Sequence, residues 1–272
     1  MEHVELQGVR LPKVGLGTWR LAGPTCEHAV ATALDLGYRH LDTAQLYGNE
    51  RRVGRALSAS PVAREEVFLT TKLAPGNLRA DAVRRSAAES LDRLDTDYLD
   101  LLLVHWPNPR VPLRETLGAM SELVDEGAVR RVGVSNFGPS RLRTAREVSD
   151  VPILTDQVQF HPYRPKPDLL SYCREHDLAL TAYSPLAHGG VLDDDVLRRV
   201  GERYDKSPAQ VALRWAVQQE NVAVIPKATS RSHLAENLDV FDFELTEPEM
   251  RAVARPSLLR TAIGFVRGRL GV

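Results

Sequence analysis

Four side chains that can hold or transfer a proton follow three neighbouring apolar segments of the sequence. Asp42 and Tyr47 follow the first segment, Lys72 ends the second, and His105 directly follows the third. A tyrosine alone is a poor acid at neutral pH because its pKa is near 10. A lysine ammonium about 4 Å away, at an effective dielectric of about 20, favours the phenolate by roughly 4 kcal/mol, or about three pKa units.

Together these four residue types indicate chemistry at a carbonyl group, although each alone has an ordinary structural role. Asp42 can keep Lys72 charged, because a neighbouring carboxylate favours the protonated amine. His105 can donate a hydrogen bond to a carbonyl oxygen and stabilise the alkoxide that develops there. The sequence therefore predicts a catalytic site in which Tyr47 protonates an oxyanion while a hydride reaches the carbonyl carbon.

Short apolar segments typical of β-strands recur along the chain and must position these side chains. They begin near Val14, His40, Val67, Leu99, Arg131, Leu154, Ala179 and Val222. Amphipathic helical patterns lie between them, for example over Ala80–Leu94 and Leu113–Val124. Eight such alternations predict an α/β protein whose parallel sheet closes into a (β/α)8 TIM barrel, with an open doubly wound sheet as the alternative. In a barrel the carboxyl ends of the strands meet at one face, which would bring Asp42, Lys72 and His105 together.

Two regions lie outside this repeat. Val4–Leu6 and Val9–Leu11 flank a Gln7-Gly8 turn and predict an N-terminal β-hairpin that caps the bottom of the barrel. The long last interval leaves room for an extra helix over Val196–Tyr204, ahead of the helix that Ser207-Pro208 opens. We expect a single domain over residues 1–272, made of the hairpin cap (1–13), the barrel (14–240) and a C-terminal helical extension (241–272).

The last part of the chain is rich in arginine and carries one apolar seam. The seam consists of Leu259, Ile263, Val266 and Leu270. This spacing predicts a C-terminal helix packed on the barrel, with an oligomer contact or a membrane-surface anchor as alternatives.

The composition argues against several classes of protein. Of 272 residues, 35 are Lys or Arg and 36 are Asp or Glu, so a net charge of −1 provides no positive field for nucleic acid. Cys26 and Cys173 do not indicate a disulfide framework, and no histidine or cysteine spacing indicates a metal site. Membrane spans need about eighteen apolar residues and signal peptides an apolar run near the start, and the sequence has neither. We expect a cytoplasmic protein with no nucleic-acid, membrane or metal partner.

A series of motifs gives the chain a family resemblance. In chain order they are Gly15-Leu16-Gly17-Thr18-Trp19, Asp42-Thr43-Ala44 through Tyr47-Gly48-Asn49-Glu50, Thr71-Lys72, Leu103-Val104-His105-Trp106-Pro107, Gly133-Val134-Ser135-Asn136-Phe137, Gln157 through His161-Pro162-Tyr163, Ala182-Tyr183-Ser184-Pro185-Leu186 and Ile225-Pro226-Lys227. Over about residues 4 to 250 the series resembles the aldo-keto reductase family, in particular its short diketogluconate-reductase-like and aldehyde-reductase branch. Members of that branch often reduce small dicarbonyls and aldehydes.

The resemblance implies a nicotinamide cofactor that lies extended over the barrel mouth. Ser135, Asn136 and Gln157 would hold its carboxamide, and Tyr183 would stack beneath the nicotinamide ring. The implied cofactor contacts are Gly17, Thr18, Trp19, Asp42, Ser135, Asn136, Gln157, Tyr183, Ser184, Pro185, Leu186, Lys227, Ala228, Thr229, Ser230, His233, Glu236 and Asn237. The Gly-x-Gly-x-x-Gly fingerprint of a Rossmann dehydrogenase is absent, which that family does not require.

At one position the sequence departs from the family pattern. His233 lies where many NADPH-preferring members carry an arginine that binds the 2′-phosphate. Arginine is permanently charged and its planar fork suits phosphate, whereas histidine is mostly uncharged above about pH 7. NADPH is therefore the expected cofactor, with a smaller preference over NADH than an arginine would give, and NADH use is possible.

The expected substrate contacts are aromatic side chains and the catalytic pair that faces the carbonyl. They are Trp19, Tyr47, His105, Trp106 and Phe137. The sequence thus predicts an NADPH-dependent reductase of aldehydes or activated ketones, with a small carbonyl compound as its partner. The alternative is a nicotinamide-nucleotide-binding regulatory subunit with little turnover. A monomer is expected, with a dimer as the alternative.

Overall fold

The computed structural model of the protein describes residues 2–257. The predicted C-terminal seam of Leu259, Ile263, Val266 and Leu270 lies outside the described residues. The described chain divides into two compact units. The first unit comprises residues 2–14, 158–226 and 232–257, and the second comprises residues 15–157 and 227–231.

The second unit alternates parallel strands and helices. Its elements are β3 (Leu16–Gly17), α1 (Gly23–Asp35), β4 (His40–Asp42), α2 (Glu50–Ser58), β5 (Phe68–Leu73), α3 (Ala80–Leu94), β6 (Leu101–Val104), α4 (Leu113–Asp125), β7 (Val132–Ser135), α5 (Pro139–Val148) and most of β8 (Ile153–Gln159). Each strand from β3 to β8 pairs with the next along the chain. The strand order does not reverse here, as it would in a doubly wound sheet.

The first unit begins with an antiparallel hairpin of β1 (His3–Leu6) and β2 (Val9–Pro12), which confirms the predicted hairpin. Gln7 and Gly8 form its turn with φ of 51° and 72°. The unit continues with the end of β8, α6 (Pro167–Glu175), β9 (Ala179–Tyr183), α7 (Asp195–Gly201), α8 (Pro208–Val217), β10 (Val222–Ile225), α9 (Arg231–Leu238, whose first residue lies in the second unit) and α10 (Glu247–Val253). Strands β9 and β10 are parallel.

Local sequence explains where the helices begin and end. The bounds predicted for α3 are those observed, and α4 ends one residue later than predicted. Ser207 caps α8 as Ser207-Pro208 indicated, and its side chain accepts the backbone N–H of Gln210. The extra helix begins one residue earlier than predicted, because the Asp194 carboxylate caps its first turn, and it ends three residues earlier than predicted.

Close packing between strands β3 and β4 depends on a glycine. A Cβ atom at Gly15 would lie 2.6 Å from Nδ1 of His40, so a side chain there would displace the ring. His40 is buried, as are all four residues of β6. This packing fixes the carboxyl ends of β4, β5 and β6, where the predicted catalytic side chains lie.

Candidate active site

The candidate active site is built around the ammonium group of Lys72 in the second unit. The Lys72 side chain is completely buried, and Nζ donates to Asp42 Oδ1 at 2.5 Å, to the Thr43 carbonyl oxygen at 2.7 Å and to Tyr47 Oη at 3.3 Å. The three N–H groups of the ammonium are therefore all matched, which offsets the cost of burying its charge. The structure thus brings Asp42, Tyr47 and Lys72 into direct contact.

Chain topology explains how these residues meet. Asp42 is the last residue of β4, Lys72 lies in the paired strand β5, and a short 3-10 helix at Gln45–Tyr47 carries the phenol back over the strand ends. The Gln45 side chain fixes this helix: its Oε1 accepts from the Ala74 N–H and its Nε2 donates to the Ser86 carbonyl. Neither Gln45 nor Thr43 was among the predicted site residues, although both are polar residues in the segment between Asp42 and Tyr47.

The pKa of Lys72 and that of Tyr47 both lie above their ordinary values. Burial disfavours the ammonium, but the Asp42 carboxylate and Tyr47 together outweigh this effect and raise the pKa of Lys72. Burial also raises the pKa of Tyr47, with a further contribution from Asp42, while Lys72 opposes the rise. The expected net lowering of the Tyr47 pKa is therefore wrong for the protein without ligands, because desolvation of the phenolate is the largest effect.

His105 directly follows β6 and its ring lies against Tyr47. The two ring centroids are 5.6 Å apart in an edge-to-face arrangement. Burial, assisted by the charge of Lys72, lowers the pKa of His105 to about 3, so the imidazole is neutral at physiological pH. Nδ1 is buried and meets no hydrogen-bond partner within residues 2–257. A neutral ring can donate one N–H to a ligand but carries no charge to it.

Amide and hydroxyl groups continue the site along β7 and β8. Gln157 Nε2 donates to Asp42 Oδ2 at 2.7 Å, which fixes the orientation of the amide. Ser135 Oγ donates to the backbone carbonyl oxygen of Gln157 at 2.8 Å, and Asn136 Nδ2 donates to the backbone carbonyl oxygen of His105 at 3.1 Å. These donors and acceptors fit a ligand carboxamide, which itself offers an N–H donor and a carbonyl acceptor.

Both tryptophans that were predicted to contact substrate are exposed. Trp19 is 37% exposed and Trp106 is 47% exposed, whereas Phe137 is only 2% exposed and packs in the interior. The Arg20 guanidinium lies 4.2 Å from the centroid of the Trp19 ring. Leu46, which sequence analysis did not single out, is 58% exposed beside Tyr47 in the chain. Exposed apolar surface of this kind is typical of ligand sites.

The remaining residues that were predicted to contact the cofactor are divided between the two units. In the second unit Gly17 and Thr18 are buried at the end of β3, Ala228 is buried, Ser230 is partly exposed and Lys227 and Thr229 are exposed. Arg231, which follows them, pairs with Asp35 at 2.7 Å.

In the first unit the remaining predicted cofactor residues lie after β9 and in α9. Tyr183 ends β9, Ser184 has a φ of 48°, Pro185 is buried and Leu186 is partly exposed. In α9, His233 is exposed and Asn237 is buried, and Glu236 accepts a hydrogen bond from the Ser207 hydroxyl. Their contacts with a cofactor stay predictions.

The described helices all lack the combination of length and apolar character that a membrane crossing would require.

Comparisons with known proteins agree along nearly the whole chain. The model of the aldo/keto reductase family matches residues 13–256. An aldo-keto reductase of Mycolicibacterium smegmatis is 42% identical over 248 residues, 91% of this chain and 90% of the relative. Methylglyoxal reductase DkgB of Escherichia coli O157:H7 is 39% identical over 247 residues, 90% of this chain and 92% of the relative.

A solved structure, provisionally named a 2,5-diketo-D-gluconic acid reductase B, is 45% identical to this chain. The two share a TM-score of 0.91 over 93% of this chain and 91% of the other. Together with the unreversed strand order, this likeness confirms the predicted (β/α)8 TIM barrel fold.

Proposed function

The chain belongs to the aldo/keto reductase family and is an oxidoreductase, and from that premise we propose that it reduces aldehydes and activated ketones with NADPH as the preferred cofactor. The observation that carries the proposal is the fully buried Lys72, which links the carboxylate of Asp42 to the phenol of Tyr47. A buried ammonium beside a partly exposed phenol suits the transfer of a proton to a bound ligand.

Tyr47 is the proton donor in this proposal. When a nicotinamide cofactor is bound, the hydride for the new C–H bond of the product would come from it. As the carbonyl π electrons move to oxygen, the O–H bond of Tyr47 breaks and a new O–H bond forms on the substrate. The phenolate that is left is stabilised by the Lys72 ammonium at 3.3 Å, and a proton from solvent restores the phenol.

His105 and Gln157 orient the reactants. Because the His105 imidazole is neutral, it acts as a hydrogen-bond donor to the carbonyl oxygen rather than as the acid. Because Gln157 Nε2 already donates to Asp42, the side-chain oxygen Oε1 of Gln157 is the group that accepts an N–H of the cofactor carboxamide. Ser135 and Asn136 complete that contact. Lys227, an exposed cation, supports binding of the phosphate end.

Small dicarbonyl compounds are the favoured substrate class. Two similar proteins are named for methylglyoxal and for 2,5-diketo-D-gluconic acid, and both compounds carry adjacent or activated carbonyl groups. The exposed rings of Trp19 and Trp106 also suit flat aromatic aldehydes such as 4-nitrobenzaldehyde.

A direct assay tests the proposal. The protein is mixed with NADPH and, in turn, methylglyoxal, glyoxal, 4-nitrobenzaldehyde and a diketogluconate, and loss of the near-ultraviolet absorbance of NADPH is followed. We expect steady consumption of NADPH with at least one dicarbonyl and one alcohol formed for each NADPH consumed. Tight NADPH binding without consumption on any substrate would instead support the regulatory subunit.

A further inference from the structure

The loop that carries Tyr47 and the loop that carries Trp19 are joined by one buried amide. Asn49 is 2% exposed, and its Nδ2 donates to the carbonyl of Thr18 at 2.8 Å and to that of Leu21 at 2.9 Å. These two carbonyls lie on either side of Trp19 in the chain. Both N–H groups of the amide therefore donate hydrogen bonds to the loop that carries Trp19.

The oxygen atom of the Asn49 amide contacts Thr43, which is a hydrogen-bond partner of Lys72. Asn49 Oδ1 accepts a hydrogen bond from Thr43 Oγ1 at 2.7 Å, and the carbonyl of Thr43 accepts from Lys72 Nζ at 2.7 Å. Thr43 is itself completely buried. A displacement of Asn49 would consequently move the Thr43 carbonyl and with it an acceptor that fixes the ammonium.

Asn49 stands directly before α2, where an asparagine commonly caps the helix with its side chain. Here the side chain makes no capping hydrogen bond. The amide is used for contacts to two other segments, at the cost of leaving the first turn of α2 without that cap. This use of a favourable capping residue indicates a requirement other than the stability of α2.

We propose that Asn49 is a positioning residue that holds the proton donor Tyr47, the ammonium of Lys72 and the substrate-facing Trp19 in register. The inference rests on the proposed role of Tyr47 as the acid. Asn49 touches neither substrate nor cofactor in this account. It acts through Thr43 on Lys72, and through the backbone of Thr18 and Leu21 on Trp19.

Three variants separate positioning from general stability. Asn49→Ala removes all three hydrogen bonds, and Thr43→Val removes the one to Asn49 while keeping the carbonyl that accepts from Lys72. Thr116→Val is the matched control, because the buried Thr116 hydroxyl donates to the Leu78 carbonyl at 2.7 Å on α4. Because Thr43→Val changes only one bond, it carries the test if Asn49→Ala does not fold.

Kinetics provide the first measurement. We expect Asn49→Ala to lower kcat by about 10- to 100-fold and Thr43→Val by less, since small misplacements of catalytic groups have effects of this size. For Thr43→Val, which leaves both bonds from Asn49 to the Trp19 loop in place, the dissociation constant of NADPH should change by less than about twofold. The alkaline limb of the kcat profile should move to higher pH, because a weaker contact with Lys72 raises the pKa of Tyr47. Thr116→Val should change neither kcat nor the pH at which the alkaline limb of the kcat profile lies.

Amide hydrogen exchange provides a measurement that does not need activity. The N–H of Leu21 bonds to the Thr18 carbonyl and the N–H of Tyr47 bonds to the Ala44 carbonyl. Both amides should exchange at least about tenfold faster in Asn49→Ala than in the wild type, and the amide of Tyr47 should also exchange faster in Thr43→Val. Unchanged exchange at both amides would overturn the proposal, as would wild-type kcat with an unmoved alkaline limb. If the wild type reduces no carbonyl, the proposed function fails, and the exchange comparison still decides whether Asn49 holds the two loops.

Discussion

At the scale of single residues, the buried Lys72 ammonium determines how the other groups of the site behave. Burial lowers the pKa of His105 and the Lys72 charge adds to that effect, whereas the same charge opposes the rise that burial imposes on the pKa of Tyr47. The Lys72 proton is retained because the Asp42 carboxylate lies 2.5 Å away. Burial together with this charge keeps the histidine neutral, and we propose that the histidine donates a hydrogen bond while the tyrosine donates the proton.

The state of His105 gives the first prediction. With a pKa of about 3, the ring does not titrate at neutral pH, so His105→Gln should lower kcat/KM without changing the shape of its pH profile between about pH 5 and pH 9. Nitrogen-detected NMR titration of the wild-type histidines checks the same point. A His105 resonance that titrates near pH 6 to 7, or loss of a kinetic limb in the variant, would contradict it.

The second prediction concerns the choice of cofactor at His233. Replacing this exposed side chain by arginine should tighten NADPH binding by about 5- to 30-fold, roughly 1 to 2 kcal/mol, with little effect on NADH. Fluorescence quenching gives the dissociation constants of NADPH and NADH for the wild type and the variant. Equal NADPH binding by the two proteins would show that His233 does not face the 2′-phosphate.

Strand-end positions in the sequence were sufficient to predict that Asp42, Tyr47 and Lys72 lie together. The direction of the Tyr47 pKa could not be predicted, because it depends on how deeply the phenol is buried and on a second charge, Asp42. Neither depth nor the competing contributions follow from residue type. The roles of these residues stay predictions until variants are measured.

At the scale of elements, Asp194 joins three segments of the first unit. Its carboxylate accepts hydrogen bonds from the backbone N–H groups of Val196 and Leu197, from the Tyr163 hydroxyl at 2.6 Å and from the Arg255 guanidinium. Burial alone would raise the pKa of Asp194, but the bonds from Tyr163 and Arg255 outweigh it and lower the pKa to about 2. The carboxylate therefore stabilises the fold only while it is ionised.

Asp194→Asn should accordingly destabilise the protein in a pH-dependent way. Because the folded-state pKa is below that of an unfolded aspartate, the contribution is complete above about pH 4 and is lost as pH falls toward about 2. We expect a loss of about 1 to 2 kcal/mol at pH 7 by urea unfolding, and a smaller loss near pH 3.

A neighbouring carboxylate provides the control for this experiment. Asp195 is exposed and pairs with Arg198 on the surface of α7, so Asp195→Asn should change stability by less than about 0.5 kcal/mol. An equal loss for Asp194→Asn at both pH values would show that packing, not the charge, accounts for it.

Helix ends show how far local sequence rules extend. Ser207 caps α8 as its position before Pro208 predicts, because the interaction is confined to one turn. Asn49, directly before α2, is also a residue type that favours the N-cap, yet its amide bonds to Thr18 and Leu21, about thirty positions earlier in the chain. A competing long-range partner cannot be seen from sequence spacing, and this is why the Asn49 contacts were missed.

At the scale of the whole molecule, the alternation of strands and helices was the strongest signal in the sequence. It predicted the (β/α)8 fold because parallel strands buried on both faces leave long apolar segments, as in β6. The family match over residues 13–256 places the chain among aldo/keto reductases. The preferred substrate does not follow from the fold, and we propose that it depends on exposed side chains such as Trp19, Leu46 and Trp106.

The central claim is that Tyr47 donates the proton during reduction of a carbonyl group. The most direct test compares the wild type with Tyr47→Phe for NADPH-dependent reduction of methylglyoxal, after both have been shown to bind NADPH with similar dissociation constants. We expect kcat to fall by about 100-fold or more in the variant, because the cofactor contacts remain and the transferable proton does not. Reduction by Tyr47→Phe at the wild-type rate would contradict the mechanism and assign the proton to another group.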